Sequence, residues 1–267
     1  VGYALKLQNL GVKEIVLTGV QLGSWGKDLS PKQSLADLVQ MLLNQTQLPR
    51  IRLSSIEPWD VNAQLIELFG NPRLCSHMHI PLQSGSDEIL RMMNRPVNKA
   101  RFEKMLGSIR DVKPDMAITT DVICGFPGET DELFIESINF IKKCQFSGGH
   151  VFPFSGLKGT SAFDLAEQIQ NSIRRERTTK VRPVLDEARE THVSRRLGQK
   201  AQVLFENLIQ LGDLTYWQGW SEDFLKVFAQ SKDNLHNKII SVLLNDRKNT
   251  GEIYATVLSQ AGTEDAP

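Results

Sequence analysis

The chain has 267 residues, and its 31 Lys and Arg are balanced by 31 Asp and Glu. A balanced charge excludes binding to nucleic acid or membrane through overall charge, so any such contact has to use a local basic patch. About 40% of the residues are hydrophobic, enough for one large domain plus a small one. No run of eighteen apolar residues suggests a transmembrane helix, and no signal peptide is visible, so the expected compartment is the cytoplasm. The three cysteines, Cys75, Cys124 and Cys144, lie too far apart for a short-spaced metal motif and are expected to be small buried hydrophobes.

Through the first two-thirds, short apolar strands alternate with amphipathic helices. The spacing predicts a helix over 2–10 and a strand over 14–17 that ends in Thr18-Gly19. A helix over 35–43 follows, then a strand over 50–53 ending in Ser54-Ser55, and a helix over 60–69. A third strand, 77–82, ends in Gln83-Ser84-Gly85-Ser86 and leads into helices over 87–93 and 99–112. The fourth, 117–123, ends in Gly125-Phe126-Pro127-Gly128 before a helix over 131–143, and the fifth, 150–154, ends in Ser155-Gly156. Strands alternating with helices imply a parallel sheet. Five successive strand ends carry polar, Gly-rich loops. A ring with all carboxyl ends converging explains that better than an open sheet with one binding crevice.

A charged helical stretch is expected over 164–197, kinked or divided at Pro183 and capped by Gly198. Strand-like runs at 201–205, 225–228, 238–244 and 251–258, separated by turn residues, then read as a small antiparallel barrel. This gives a domain of 1–198, a small barrel of 199–259 and a polar tail of 260–267.

The run 119–130, TTDVICGFPGET, has the form of a strand, a Gly-Pro loop and an acidic helix start. Glycine there admits close approach of a ligand, and Glu129 suits a helix N-terminus. It could equally be an ordinary strand-to-helix turn. Capping explains Ser86 and Asp87, but not Gln83. His77 and His79 share one strand face, as a metal pair or, on the favoured reading, as a satisfied internal pair. His150 is read the same way. Arg174, Arg175, Arg177, Lys180 and Arg182, followed by Arg189, Arg195, Arg196 and Lys200, form either a solvated ion-paired helix or an RNA-facing stripe. Tyr216, Trp217, Trp220 and Phe224 with Lys226 suit base stacking and phosphate contact, or simply the core of a small domain.

Five segments in order resemble the methylthiotransferase family of radical-SAM enzymes: EIVLTGVQLGSWG (14–26), RIRLSSIEP (50–58), HMHIPLQSGSDEILRMMNR (77–95), TTDVICGFPGETDELF (119–134) and HVFPFSGLKGT (150–160). The last 60 residues or so look like TRAM, the small RNA-binding β-barrel that ends these enzymes. The resemblance implies an α/β fold, a partial (β/α) radical-SAM barrel lacking its first strand, followed by that TRAM-like barrel. It further implies that S-adenosylmethionine (SAM) is held by Gly19, Gln21, Ser54, Ser55, Glu57, Gln83, Ser84, Asp121, Gly125, Phe152 and Pro153. The last two, with Asp121 and Gly125, mark the adenine side.

RNA contacts are expected from Arg174, Arg175, Lys200, Trp217, Trp220 and Lys226, with tRNA as the partner. The Ser-Ser-Ile-Glu-Pro run resembles the branch acting on threonylcarbamoyladenosine beside the anticodon. Other branches act on isopentenyladenosine or on a ribosomal protein. The family's C-x-x-x-C-x-x-C site for its [4Fe–4S] cluster is not in this sequence, which starts at Val1 and aligns from the helix after that loop. The expectation is therefore a chain that ligates no cluster and is inactive by itself, with an exposed strand edge that lowers its stability. A non-catalytic RNA-binding protein is the competing reading. A cluster-free barrel enzyme using Glu57, Asp121 or Glu129 as acid and base is a weaker one.

Overall fold

The computed structural model describes residues 1–247 and 252–258. The expected tail of 260–267 lies outside these residues. Helix α1 (Gly2–Asn9) precedes strand β1 (Glu14–Leu17) and a short 3-10 turn, Leu22–Ser24. Next come α2 (Leu35–Gln45), β2 (Arg50–Leu53), a 3-10 turn at Pro58–Asp60 and α3 (Ala63–Leu68). Strand β3 (His77–His79) leads to α4 (Asp87–Met92) and α5 (Lys99–Val112). Strand β4 (Ala117–Cys124), α6 (Asp131–Cys144) and β5 (Gly149–Pro153) complete the repeat, and the long α7 (Asn171–Arg196) follows. Polar side chains fix several helix starts. Ser34 and Asp37 form a reciprocal capping box on α2. Asn62, Asn98 and Thr130 each accept a backbone N–H of the first turn of α3, α5 and α6.

The five strands run parallel and in sequence order. β1 pairs with β2, and β4 pairs with β3 on one side and β5 on the other. Single bridges such as Ser55 with His79 join the two groups. β1 and β5 are not paired with each other, so the array is an open arc and not a closed ring. Along β4 burial alternates with period two. Ile118, Thr120, Val122 and Cys124 face the helices, while Thr119, Asp121 and Ile123 line the inner face. The core between strands and helices holds Val39, Ile51, Leu53, Met78, Ile80, Phe102, Ile118, Phe140, Val181 and Leu185.

Several boundaries moved for identifiable reasons. β3 stops at His79 because Pro81 has no N–H and Gln83 takes φ 69°, which ends the extended run. Residues 164–170 are not helical. Gln168 knits them into a loop through the carbonyls of Ala162, Phe163 and Leu165. α7 runs on through Pro183, so of the two expected outcomes there, a kink or a division, division does not occur. Gly198, at φ 77°, follows its end as anticipated.

Strands β6 (Lys200–Leu211), β7 (Leu214–Ser221), β8 (Lys226–Ala229), β9 (Lys238–Arg247) and β10 (Ile253–Val257) close into a barrel in the order β10-β8-β7-β6-β9. It is not wholly antiparallel, since β10 and β8 pair in parallel. Val203, Phe205, Val227, Val242, Leu244 and Ile253 fill it. Val193 and Leu197 at the end of α7 join this second core.

The β7–β8 turn closes the mouth of the arc at the amino ends of the strands. Arg50 donates to Trp220 O (3.0 Å) and Gln202 O, and Arg52 to Ser221 O (3.0 Å). Both guanidinia are buried, with Glu14 as their carboxylate partner at 3.5 and 2.7 Å. Phe224 stacks on Trp220 and His77, each at 4.7 Å between ring centres, and Arg52 lies over its ring. On the other side Arg196 and His192 hold Asp223 at 2.8 and 3.2 Å.

Candidate functional site

The polar groups that the helices and the barrel core leave uncovered gather at the carboxyl ends of the five parallel strands. After β1, Gly19 and Gln21 are exposed, and a side chain at Gly19 would make only ordinary contacts. The glycine that packing demands is its neighbour Gly23, where a Cβ would lie 2.2 Å from Asp60 Cβ. After β2, Ser54 donates its N–H to Leu17 O, and Ser55 bridges to His79. Glu57 is ion-paired with Arg95, which also donates to Pro81 O (3.1 Å) and lies over the half-exposed Trp59 ring. Neither Arg95 nor Trp59 was singled out from the sequence, because each meets Glu57 only in the folded chain.

After β3, Gln83 is held on both sides by β4. Its N–H donates to Asp121 O and its carbonyl accepts from Ile123 N, both at 2.8 Å. Its positive φ turns the side chain out of the strand pattern. Buried Ser84 accepts from Ser86 N (3.2 Å), and Gly85 donates to Ser137 Oγ (2.7 Å). Ser86 precedes α4 but makes no side-chain cap, and Asp87 caps Lys99 N at the start of α5 instead.

After β4, Gly125 takes φ 75°, and a Cβ there would meet Arg174 Cγ at 2.4 Å. Its N–H donates to Glu129 Oε2 (2.7 Å). Glu129 is 2% exposed and accepts from Arg177 at 2.8 Å. Burial pushes the Glu129 carboxyl up, and the Gly125 N–H and the Arg177 charge oppose that rise. Both contacts fall on Oε2, and the enclosed carboxylate holds the loop in place. After β5, Phe152 and Pro153 are exposed, opposite Ile123 and Cys124.

At these ends Gln83 Oε1, Asp121 Oδ1 and the Ser86 hydroxyl are buried without a hydrogen-bond partner among the described residues, as are the donors Arg95 Nε and Arg174 Nε. Buried polar atoms are normally satisfied, so the orphaned carboxylate and amide oxygens of Asp121 and Gln83, whose backbones are hydrogen-bonded, mark a place where a donor-rich ligand fits. The other carboxylate oxygen of Asp121 lies 3.2 Å from His79 Nε2.

The residues expected to contact RNA separate into two groups. Arg174 does not point outward. It donates to Phe154 O (3.1 Å) and Gln168 Oε1 (2.9 Å) and stands over Gly125 at the strand ends. Arg175 and Lys200 are exposed. Trp217 packs against the barrel core, Trp220 has one face on Phe224, and the Lys226 ammonium sits 5.5 Å from the Phe228 ring. Arg177 is likewise buried rather than displayed.

Cys75, Cys124 and Cys144 are free and buried, and burial pushes each thiol up to about 12. They lie in the loop before β3, in β4 and at the end of α6, so they do not fit an iron–sulfur cluster. His77 and His79 share Thr119 Oγ1, at 2.9 and 3.0 Å, as an internal pair in which His77 Nδ1 has no partner among the described residues. Among the described residues, no three His, Cys, Asp or Glu side chains converge as a metal site. No helix among them is long and apolar enough to cross a membrane.

Residues 2–141, just over half of the sequence, match the family model of the radical SAM superfamily. The chain belongs to the radical SAM superfamily. Among curated relatives, this superfamily member is 38% identical over 217 residues to the threonylcarbamoyladenosine tRNA methylthiotransferase of Thermotoga maritima, covering 81% of this chain and 49% of that protein. It is 34% identical over 239 residues to the tRNA-2-methylthio-N(6)-dimethylallyladenosine synthase of Clostridium tetani, covering 89% and 52%. The chain thus spans about half the length of the curated relatives it matches. Its fold is similar to that of the radical SAM enzyme coproporphyrinogen III oxidase from Escherichia coli, with TM-score 0.55 and 14% identity over 80% of this chain and 58% of that one.

Proposed function

We propose that the chain is the SAM-holding arc and the RNA-binding barrel of a tRNA methylthiotransferase that acts on threonylcarbamoyladenosine beside the anticodon. The observation that carries this reading is the pair of buried, unpartnered acceptors, Gln83 Oε1 and Asp121 Oδ1, at the strand ends of a radical SAM superfamily member. SAM is rich in donors (an ammonium, two ribose hydroxyls and an adenine amino group), so the acceptors suit it. The branch rests on the Ser54-Ser55-Ile56-Glu57-Pro58 run and on the Thermotoga maritima relative. The barrel lacking its first strand and the TRAM identity of the five-stranded barrel belong to the same proposal.

In this reading the residues divide the work. Asp121 and Gln83 accept hydrogen bonds from SAM, and Ser84 and Gly125 shape the backbone around it. Gly125 stays in place because Glu129 and Arg177 clamp its loop from behind. Phe152 and Pro153 offer an apolar surface to the adenine, and the neighbouring strand-end residues Gly19, Gln21, Ser54, Ser55 and Glu57 complete the rim. SAM, when bound, would supply the methyl group and, on one-electron reduction by a cluster that the three cysteines here do not fit, the hydrogen-abstracting radical for which such enzymes use it. Arg175 and Lys200 are exposed to meet RNA phosphates, with Trp217, Trp220 and Lys226 beside them on the small barrel.

The test is chemical. The protein, carrying whatever residues are encoded ahead of Val1, is purified anaerobically, given iron, sulfide, SAM and reductant, and mixed with tRNA lacking methylthio groups. Mass spectrometry of the digested tRNA is expected to show methylthio-threonylcarbamoyladenosine. Methylthio-isopentenyladenosine in its place would overturn the branch. Neither product from cluster-loaded protein would overturn the tRNA assignment.

A further inference from the structure

Behind Asp121 lies a line of three side chains that SAM itself would not touch. His79 stands on β3 with its Nε2 3.2 Å from Asp121 Oδ2. Its Nδ1 is 3.0 Å from Thr119 Oγ1, and the same hydroxyl is 2.9 Å from His77 Nε2. His77 is buried against the Phe224 ring, and its Nδ1 finds no partner among the described residues.

The chemistry of the donors gives this line a direction. An ionised carboxylate only accepts, so the His79 nitrogen facing it carries the proton. In the tautomer with the proton on Nε2, His79 has a lone pair at Nδ1, which the single Thr119 hydroxyl proton satisfies. The hydroxyl oxygen is left to accept from His77 Nε2–H. That leaves the orphaned His77 Nδ1 as a bare lone pair, a smaller penalty than an orphaned N–H. Every proton in the line therefore points toward Asp121.

We propose that His79 is a positioning residue of the SAM site, fixed by Thr119 and His77 so that its Nε2 edge, 3.2 Å from Asp121 Oδ2, confines that oxygen and leaves the other for the bound ligand. A carboxylate on a single-bonded side chain would otherwise sample several rotamers. Pinning one oxygen selects the rotamer in which Oδ1 is buried beside Gln83. The inference rests on the SAM reading and assigns His79, Thr119 and His77 to the support of that site, a role distinct from metal ligation.

The test measures affinity of the 267-residue chain for S-adenosylhomocysteine by calorimetric titration, with thermal melting as a check on folding. His79→Leu is expected to weaken binding about tenfold, the loss of one charge-assisted contact in the site. His79→Gln places an amide N–H near the position of Nε2 and is expected to restore most of that affinity. Thr119→Val is expected to weaken binding less than His79→Leu does. The deciding comparison is the double variant. If His79 acts through Asp121, adding His79→Leu to Asp121→Asn weakens binding no further. Two independent losses that add, with unchanged melting, would overturn the positioning role. If wild-type chain binds and His79→Leu binds equally well, this inference fails while the SAM reading stands. If wild-type chain binds neither S-adenosylhomocysteine nor SAM at millimolar concentration, the SAM reading fails and this inference with it.

Discussion

His77 carries the sharpest acid sensitivity at the level of single residues. Burial, reinforced by the Arg52 and His79 charges, brings its pKa from 6.5 down to about 3. The folded chain therefore keeps His77 neutral where the unfolded chain binds a proton. Stability is full above the unfolded value of 6.5 and falls as pH drops toward 3. One proton corresponds to about 1.4 kcal/mol per pH unit, so roughly 2 kcal/mol should be lost between pH 6.5 and about pH 5. Urea titrations across this range are expected to show that slope, and His77→Phe, which keeps the stack on Phe224, should flatten it. Asp223 acts in a lower window. Burial alone would raise it, but His192, Arg196 and the Ser221 hydroxyl outweigh burial and bring it to about 2. Its contribution is present above the ordinary Asp range and is lost only as pH falls from about 4 toward 2. The Glu129–Arg177 pair makes a different demand. Arg177→Met strands a buried carboxylate and is expected to destabilise by about 3 kcal/mol or more in chemical denaturation. Adding Glu129→Gln should recover part of that loss, and a neutral single variant would show that the pair is not what holds the loop.

The turns between strand and helix set the site, and two glycines separate their roles. Gly125→Ala meets both a positive φ and Arg174, whereas Gly198 has a positive φ with nothing within 4 Å of a Cβ. Gly198→Ala is expected to lower stability by about 1 kcal/mol through the backbone alone and to leave SAM binding unchanged. Gly125→Ala is expected to lower stability further and to weaken SAM binding, because Arg174 and the loop must move together. Equal effects on binding from both variants would contradict this division. Much of this level was legible in the sequence. The bounds of β1, β2 and α5 follow from their apolar spacing, and the polar loops after each strand stand where the pattern put them. β7 was not legible, since Tyr216, Trp217, Gly219 and Trp220 read as an aromatic cluster and not as alternating strand positions. Nor was the parallel pairing of β8 with β10, which depends on barrel closure and not on local pattern. Thr119 meets His77 across 42 residues, and Arg177 meets Glu129 across 48, distances over which sequence spacing carries no signal.

Across the whole molecule, the small barrel is locked to the arc at the end opposite the candidate site. Arg50 and Arg52 reach backbone carbonyls of the barrel, Phe224 fills the mouth, and the end of α7 belongs to the barrel core. One cooperative unfolding transition is therefore expected by calorimetry. Arg52→Ala, which removes two carbonyl contacts and the partner of Glu14, is expected to split or broaden it. Two separate transitions in the wild-type chain would show that the docking carries little energy. The central claim is where SAM sits, and hydrogen exchange of the chain with and without saturating SAM tests it most directly. The account predicts slowed exchange in the strand-end segments 18–21, 54–57, 83–86 and 121–128, with the barrel and the amino ends of the strands unchanged. Unchanged exchange throughout, or protection confined to the groove between arc and barrel, would contradict it.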